Sequence, residues 1–147
     1  MEIRRARSNE VRALVGCYEW LFAPPGSRPP HWDEEAAGER LRGLIGSDDG
    51  EVLVAERDGA IVGICTVALD IESVRFGQRA WVEDLAVHAE HRSAGVGKAL
   101  LDAAKDWARS RGATHLELDS GEARADAHRF YEREQPSWRS TSFGWVL

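Results

Sequence analysis

The chain has 147 residues, of which 43% are apolar and 30% are charged, a composition typical of one globular domain that buries its own core. Its formal net charge of −6 argues against a general nucleic-acid-binding protein, because phosphate backbones require a positive surface. No apolar run approaches the length of a membrane span, and the N-terminal residues 1–5 lack the apolar stretch of a signal peptide. We therefore expect a cytoplasmic protein that binds neither nucleic acid nor a membrane.

The first half of the chain predicts a short strand, two helices and a hairpin. Ser8 is the predicted N-cap of the first helix, which must end before Pro24-Pro25-Gly26 because proline interrupts helical hydrogen bonding. Asp58-Gly59 is a strong turn dipeptide between two β-rich runs, which indicates a hairpin. The predicted elements are a strand at 2–7, helices at 11–22 and 33–45, and hairpin strands at 52–55 and 61–69.

The second half predicts strands and helices that alternate. A long helix with one apolar face is expected at 95–111, where Val96, Leu100 and Ala104 share that face. Cys17 and Cys65 lack metal-ligand spacing and lie among apolar residues, so we expect buried reduced thiols and no metal site. Because the alternation is only partial, a mixed sheet is favoured over a parallel one. The remaining predicted elements are strands at 80–87, 115–118 and 138–147, and a helix at 123–132.

The strongest chemical signal is the turn Arg92-Ser93-Ala94-Gly95-Val96-Gly97 before the long helix. Glycines let a ligand approach the backbone closely, and free N–H groups at a helix start bind anions. Arg92 and Lys98 add positive charge, so a diphosphate suits this turn best. A P-loop and a dinucleotide fingerprint are both excluded by residues at their required positions. A glycine-rich helix start without any ligand remains the alternative.

Two runs resemble the GNAT superfamily of acyltransferases. Residues 81–101 contain the pattern Arg-x-x-Gly-x-Gly entering a helix, and Ala127-His128-Arg129-Phe130-Tyr131 matches the second signature, Ala-x-x-Phe-Tyr. The resemblance covers essentially the whole chain and implies a single domain at 1–147. It also implies an α/β (α+β) fold with a mixed, mostly antiparallel central sheet, helices on both faces and a splayed parallel strand pair. Acetyl-CoA would be the acyl donor.

The resemblance also implies roles for individual residues on the donor side. Tyr131 would lie near the thioester sulfur as a general acid for the departing thiolate. Arg124 occupies a position where many members have an asparagine that contacts the pantetheine arm. The pantetheine would run beside one strand, and the pyrophosphate would bind the amides of the turn. The implied donor contacts are Leu85, Ala86, Val87, Arg92, Ser93, Ala94, Gly95, Val96, Gly97, Lys98, Arg124 and Tyr131.

The resemblance implies that the acceptor amine attacks the thioester directly in a ternary complex. No protein nucleophile would then be required, and the sequence contains no nucleophile constellation. Glu83 and Asp84 are the candidate bases for the proton that the amine loses. Strand alternation predicts that at most one of them faces the amine, and Glu83 is favoured. A structural salt bridge is the alternative role for Glu83. The acceptor pocket is expected to be lined by Trp32, Phe76, Trp81 and Glu83.

One segment departs from the family pattern. The residues Glu134-Gln135-Pro136-Ser137-Trp138 replace the usual turn into the last strand, so the family pattern does not define the acceptor wall or the pairing of that strand here. The predicted function is N-acetylation of a primary amine of a small molecule. The alternatives are a protein N-terminal or lysine acetyltransferase and a non-catalytic acyl-CoA-binding sensor. An exposed final strand could pair two copies into a homodimer.

Overall fold

The computed structural model describes residues 1–147 and is organised around one five-stranded sheet in which each strand lies beside the next in sequence order. The first three pairings are antiparallel and the last is parallel. This arrangement confirms the predicted mixed, mostly antiparallel sheet. The strands are β1 (Glu2–Arg5), β2 (Gly50–Arg57), β3 (Ala60–Ser73), β4 (Gly77–Val87) and β5 (His115–Leu118).

Five helices surround the sheet, and none is long and apolar enough to cross a membrane. The predicted helix at 11–22 is divided into two at Tyr18. The Tyr18 N–H donates to the Val15 carbonyl, three residues earlier, in the tighter 3-10 pattern that ends the first helix. Asp33 caps α3 by accepting the Glu35 N–H at 3.1 Å. The helices are α1 (Val11–Cys17), α2 (Glu19–Phe22), α3 (Glu34–Ile45), α4 (Val96–Ser110) and α5 (Ala125–Arg133).

The predicted cap at Ser8 is wrong, because Ser8–Glu10 forms a short 3-10 turn instead. The Glu10 carboxylate, not a serine hydroxyl, accepts the Arg7 backbone N–H at 2.8 Å. Arg4 holds that carboxylate through two hydrogen bonds of 2.9 and 2.8 Å and also reaches Glu56. The first strand is therefore tied to the first helix by charge.

The sheet has a hydrophobic core on each face. Helix α4 covers one face, where Val96, Leu100 and Ala104 are buried as predicted. Helices α1 and α3 cover the other face, with Leu14 and Leu41 in its core. Each core contains one of the two cysteines, and both are buried free thiols, as the sequence predicted.

The predicted final strand at 138–147 is wrong, because this segment contains no strand and adds no backbone hydrogen bond to the sheet. Gln135 adopts a left-handed φ of 56°, and Pro136 after it lacks a donor N–H. Phe143 and Trp145 remain 78% and 82% exposed, so their alternation covers no apolar face. The final strand through which a homodimer was predicted is therefore absent, and the homodimer itself stays a prediction.

Candidate active site

The parallel pair β4–β5 separates partway along its length. The last residues paired between these two strands are Val82 on β4 and Leu118 on β5, whereas β4 continues to Val87 paired only with β3. The chain leaves β5 after Leu118 and turns towards α5. A gap therefore opens beside residues 83–87, and the splayed strand pair that the resemblance implied is confirmed.

The turn that enters α4 has the backbone of an anion-binding site. Ser93 and Gly95 adopt left-handed φ values of 61° and 81°, and the turn is exposed. No amide from Ser93 to Lys98 donates a backbone hydrogen bond, and the first bond into the helix runs from Ala99 to the Gly95 carbonyl at 3.1 Å. Free amides combine here with the positive end of a 15-residue helix. This turn fits a pyrophosphate.

The two basic side chains beside the turn differ in their partners. Lys98 donates to Glu134 at 3.0 Å and to Asp102 at 3.2 Å, and these contacts, Glu134 first, raise the pKa of Lys98. Arg92 is exposed and makes one long hydrogen bond of 3.4 Å, to the Val87 carbonyl. Acids of the chain thus already engage Lys98, while the guanidinium of Arg92 remains accessible to an anion.

Helix α5 places Tyr131 near the start of α4. The ring of the adjacent Phe130 lies against Gly97, where a Cβ atom would be 3.5 Å from it. Burial, and secondarily Cys65, raises the pKa of Tyr131 to about 12, while Arg124 acts in the opposite direction. The phenol therefore keeps its proton at neutral pH.

Arg124 precedes α5 and connects it to the other side of the molecule. Its Nη2 donates to the Leu21 carbonyl at the end of α2, at 3.0 Å. This contact brings the start of α5 against α2, which sequence reasoning missed because 103 residues separate the partners. The predicted contact between Arg124 and pantetheine stays a prediction.

Glu83 and Asp84 line the same cavity, which has a volume of about 480 Å³. Asp84 is opposite Thr66 and Val82 is opposite Val67, so Glu83 is an extra residue in β4 with no partner on β3. Such a β-bulge places two consecutive side chains on one face. The alternation expected from the sequence therefore fails at this position, and both carboxylates face α1 and α3.

The two carboxylates have different surroundings. Asp84 Oδ2 accepts the Tyr18 hydroxyl at 2.7 Å and the Thr66 hydroxyl at 3.0 Å. Burial, and secondarily the charge of Asp84, raises the pKa of Tyr18 well above its ordinary value, so this phenol remains a donor. Glu83 is exposed and accepts one hydrogen bond, from Trp81 Nε1 at 2.6 Å. Two donors hold Asp84, whereas Glu83 is exposed and held by one.

Aromatic rings form one wall of this cavity. Trp32 stacks on Tyr18 with ring centroids 5.5 Å apart, and Trp81 lies beneath the Arg79 guanidinium at 4.8 Å. The cavity thus includes Trp32, Trp81 and Glu83 from the predicted acceptor set. Phe76 is 60% exposed and packs near His115, outside the residues that line the cavity.

Sequence reasoning missed four polar or charged residues of the cavity: Tyr18, Arg40, Thr66 and Asp70. Tyr18 lies in a helical apolar pattern that indicates only core packing, Thr66 is one of several β-formers in a strand, and Arg40 is one of several charges on a helix surface. No local signal distinguishes them. No group of three or more His, Cys, Asp or Glu side chains is placed to hold a metal ion.

Comparison with known proteins matches this architecture to one family. Residues 14–135 match the model of the acetyltransferase (GNAT) family. The uncharacterized N-acetyltransferase YhdJ of Bacillus subtilis is 39% identical over 123 residues, which cover 82% of this chain and 86% of that protein. The aminoglycoside N(6')-acetyltransferase type 1 of Klebsiella aerogenes is 31% identical over 106 residues, 71% of this chain and 66% of that protein.

A solved structure supports the fold independently. A putative acetyltransferase from Agrobacterium tumefaciens superposes with a TM-score of 0.82 at 22% identity, covering 100% of both chains. The family match spans both the amide turn and the Tyr131 helix, and the relatives are N-acetyltransferases by name. The chain therefore belongs to the GNAT family of acetyltransferases and is an acyltransferase enzyme.

Proposed function

We propose that the enzyme transfers an acetyl group from acetyl-CoA to the primary amine of a small molecule, by direct attack in a ternary complex. One observation carries this proposal: the cavity with two carboxylates and the amide turn lie at the two ends of the stretch of β4 that has separated from β5. Glu83 and Asp84 begin the part of β4 that no longer pairs with β5, and the turn begins five residues after the end of the strand at Val87. A donor and an acceptor could therefore meet where β4 and β5 separate.

The donor side rests on backbone groups more than on side chains. Acetyl-CoA would supply the thioester carbonyl. The amides of residues 93–98 would hold its pyrophosphate, with Arg92 as an accessible cation beside them. The backbone of Leu85, Ala86 and Val87 borders the gap and would lie beside the pantetheine arm, with Arg124 at the far side.

On the acceptor side, Glu83 would remove the proton from the attacking amine. As the N–C bond forms and the C–S bond breaks, this proton passes to Glu83 and the thiolate takes one from the Tyr131 hydroxyl. Asp84 serves as a positioning residue, because two hydroxyls already occupy its Oδ2 atom. Trp81 holds Glu83 in place through its indole N–H.

The size of the cavity supports a small acceptor. A volume of about 480 Å³ is within the range of roughly 300–1,000 Å³ that small-molecule sites occupy. A relative whose name gives an aminoglycoside as its substrate also favours a small amine over a peptide.

The test is a thiol-release assay with acetyl-CoA and a panel of small amines and peptides. We expect release with small amines, and we expect Glu83→Gln to lower kcat by about 10²- to 10⁴-fold because it removes the general base. Glu39→Gln, an exposed change on α3, is the matched control and should retain full activity. Tyr131→Phe should lower kcat while leaving coenzyme A binding unchanged.

Each alternative gives a different result. Acetylation of peptides but of no small amine would assign a protein-modifying enzyme. Saturable binding of acetyl-CoA without thiol release with any acceptor would assign a sensor. Full activity in Glu83→Gln would remove Glu83 as the base.

A further inference from the structure

The lining of the cavity beside β4 includes an exposed arginine that forms no ion pair. Arg40 on α3 lines the cavity together with Asp70, Glu83 and Asp84. Arg40 takes part in none of the ion pairs of the chain, although acids lie around the same space. The acidic and basic groups of the cavity are therefore kept apart.

The carboxylates, by contrast, already have donors. Asp70 accepts from Arg79 at 2.7 Å, and those contacts lower the pKa of Asp70. Glu83 accepts from Trp81, and Asp84 accepts from two hydroxyls. The guanidinium of Arg40 is the charged group left without a partner, and its planar fork matches a carboxylate or phosphate oxyanion.

A second residue that lines the cavity has a donor without a partner. Trp32 Nε1 is buried and has no hydrogen-bond acceptor, and Trp32 immediately precedes the cap of α3. A buried N–H without an acceptor is costly and rare in folded proteins. An acceptor oxygen from a bound molecule would satisfy this indole.

We propose that the acceptor is a small amine that also carries an oxyanion: a carboxylate, phosphonate or phosphate. Its ammonium end faces Glu83 on β4, and its oxyanion faces Arg40 and Trp32 on the α3 side. This inference rests on the proposed function, since it takes the cavity to be the acceptor site. It adds the charge pattern of the substrate, which the family does not determine.

The experiment compares ω-amino carboxylates of increasing chain length with their primary amides, which are neutral isosteres. We expect the best amino carboxylate to exceed its amide in kcat/KM by about tenfold or more, the gain typical of one charge-assisted hydrogen bond. Arg40→Gln should remove this preference. Arg42→Gln, on the same helix but outside the cavity lining, should retain it.

The outcomes separate this inference from the function on which it rests. Equal rates for carboxylates and amides, or equal effects of the two arginine variants, would overturn the inference while acetyl transfer stands. If no amine is acetylated, the proposed function fails, and calorimetry with coenzyme A present decides the inference instead. Binding of an amino carboxylate that Arg40→Gln abolishes would support it, and no binding to the unchanged protein would overturn it.

Discussion

The hydroxyl of Tyr18 offers a direct measure of what holds Asp84 in place. Tyr18→Phe removes the donor 2.7 Å from Asp84 Oδ2 but keeps the ring that stacks on Trp32. A hydrogen bond to a charged acceptor contributes about 1.5–3 kcal/mol. For a domain of this size that loss corresponds to a melting temperature lower by about 4–10 °C. Because the raised pKa of Tyr18 keeps the phenol protonated, the difference should be constant from about pH 6 to pH 9.

The assay is a double-mutant cycle that combines Tyr18→Phe with Asp84→Ala. The free energy of unfolding of each variant is measured by urea denaturation. We expect a coupling free energy of about 1.5–3 kcal/mol between the two positions, because the second substitution has no hydrogen bond left to remove. A coupling free energy below about 0.5 kcal/mol would refute the reasoning, since it would mean that the contact stabilises neither residue.

Two further predictions concern charge and backbone geometry. The Arg4 guanidinium lowers the pKa of Glu10 to about 2 from 4.5, so its stabilisation is present above about pH 4.5 and is lost as the pH falls towards 2. Glu10→Gln should therefore cost roughly 2 kcal/mol by urea denaturation at pH 7 and nothing near pH 2, and a pH-independent cost would contradict this. Gly95→Ala should strain a left-handed φ of 81° by about 1 kcal/mol and weaken coenzyme A binding in calorimetry. Gly43→Ala, in open space on α3, should stabilise by about 0.5–1 kcal/mol without affecting binding, and equal binding losses in both would contradict the role of the turn.

The sequence predicted best what short local patterns determine. The turn before α4 and the helix of Tyr131 each depend on a few consecutive residues, so both could be recognised without a structure. The contact between Tyr18 and Asp84 joins residues 66 positions apart, and no local pattern encodes it. Likewise, Arg40 is one of several charged residues on α3, and the sequence gives no sign that it lines a cavity.

The two errors in the strands have a common physical origin. The alternation of Glu83 and Asp84 failed because a bulge depends on the register with β3, which only the paired strand reveals. The final strand was predicted at 138–147, but a strand also needs a partner edge. This segment makes no backbone hydrogen bond to the sheet and contacts the rest of the chain through side chains, as between Ser142 and Asp119 at 2.9 Å. Composition alone shows neither the register of β4 with β3 nor a partner edge for residues 138–147.

The unpartnered position of Glu83 has a consequence for how this strand could have arisen. On either side of it, Val82 and Leu85 pack towards α4, and Asp84 and Ala86 face α1 and α3. If Glu83 is left out, these residues alternate as in an uninterrupted strand. Glu83 thus behaves as an insertion that the fold itself does not require. A chain from which Glu83 is deleted should keep both hydrophobic cores in register and lose only one carboxylate. The fold and the proposed chemistry therefore depend on different residues at this position.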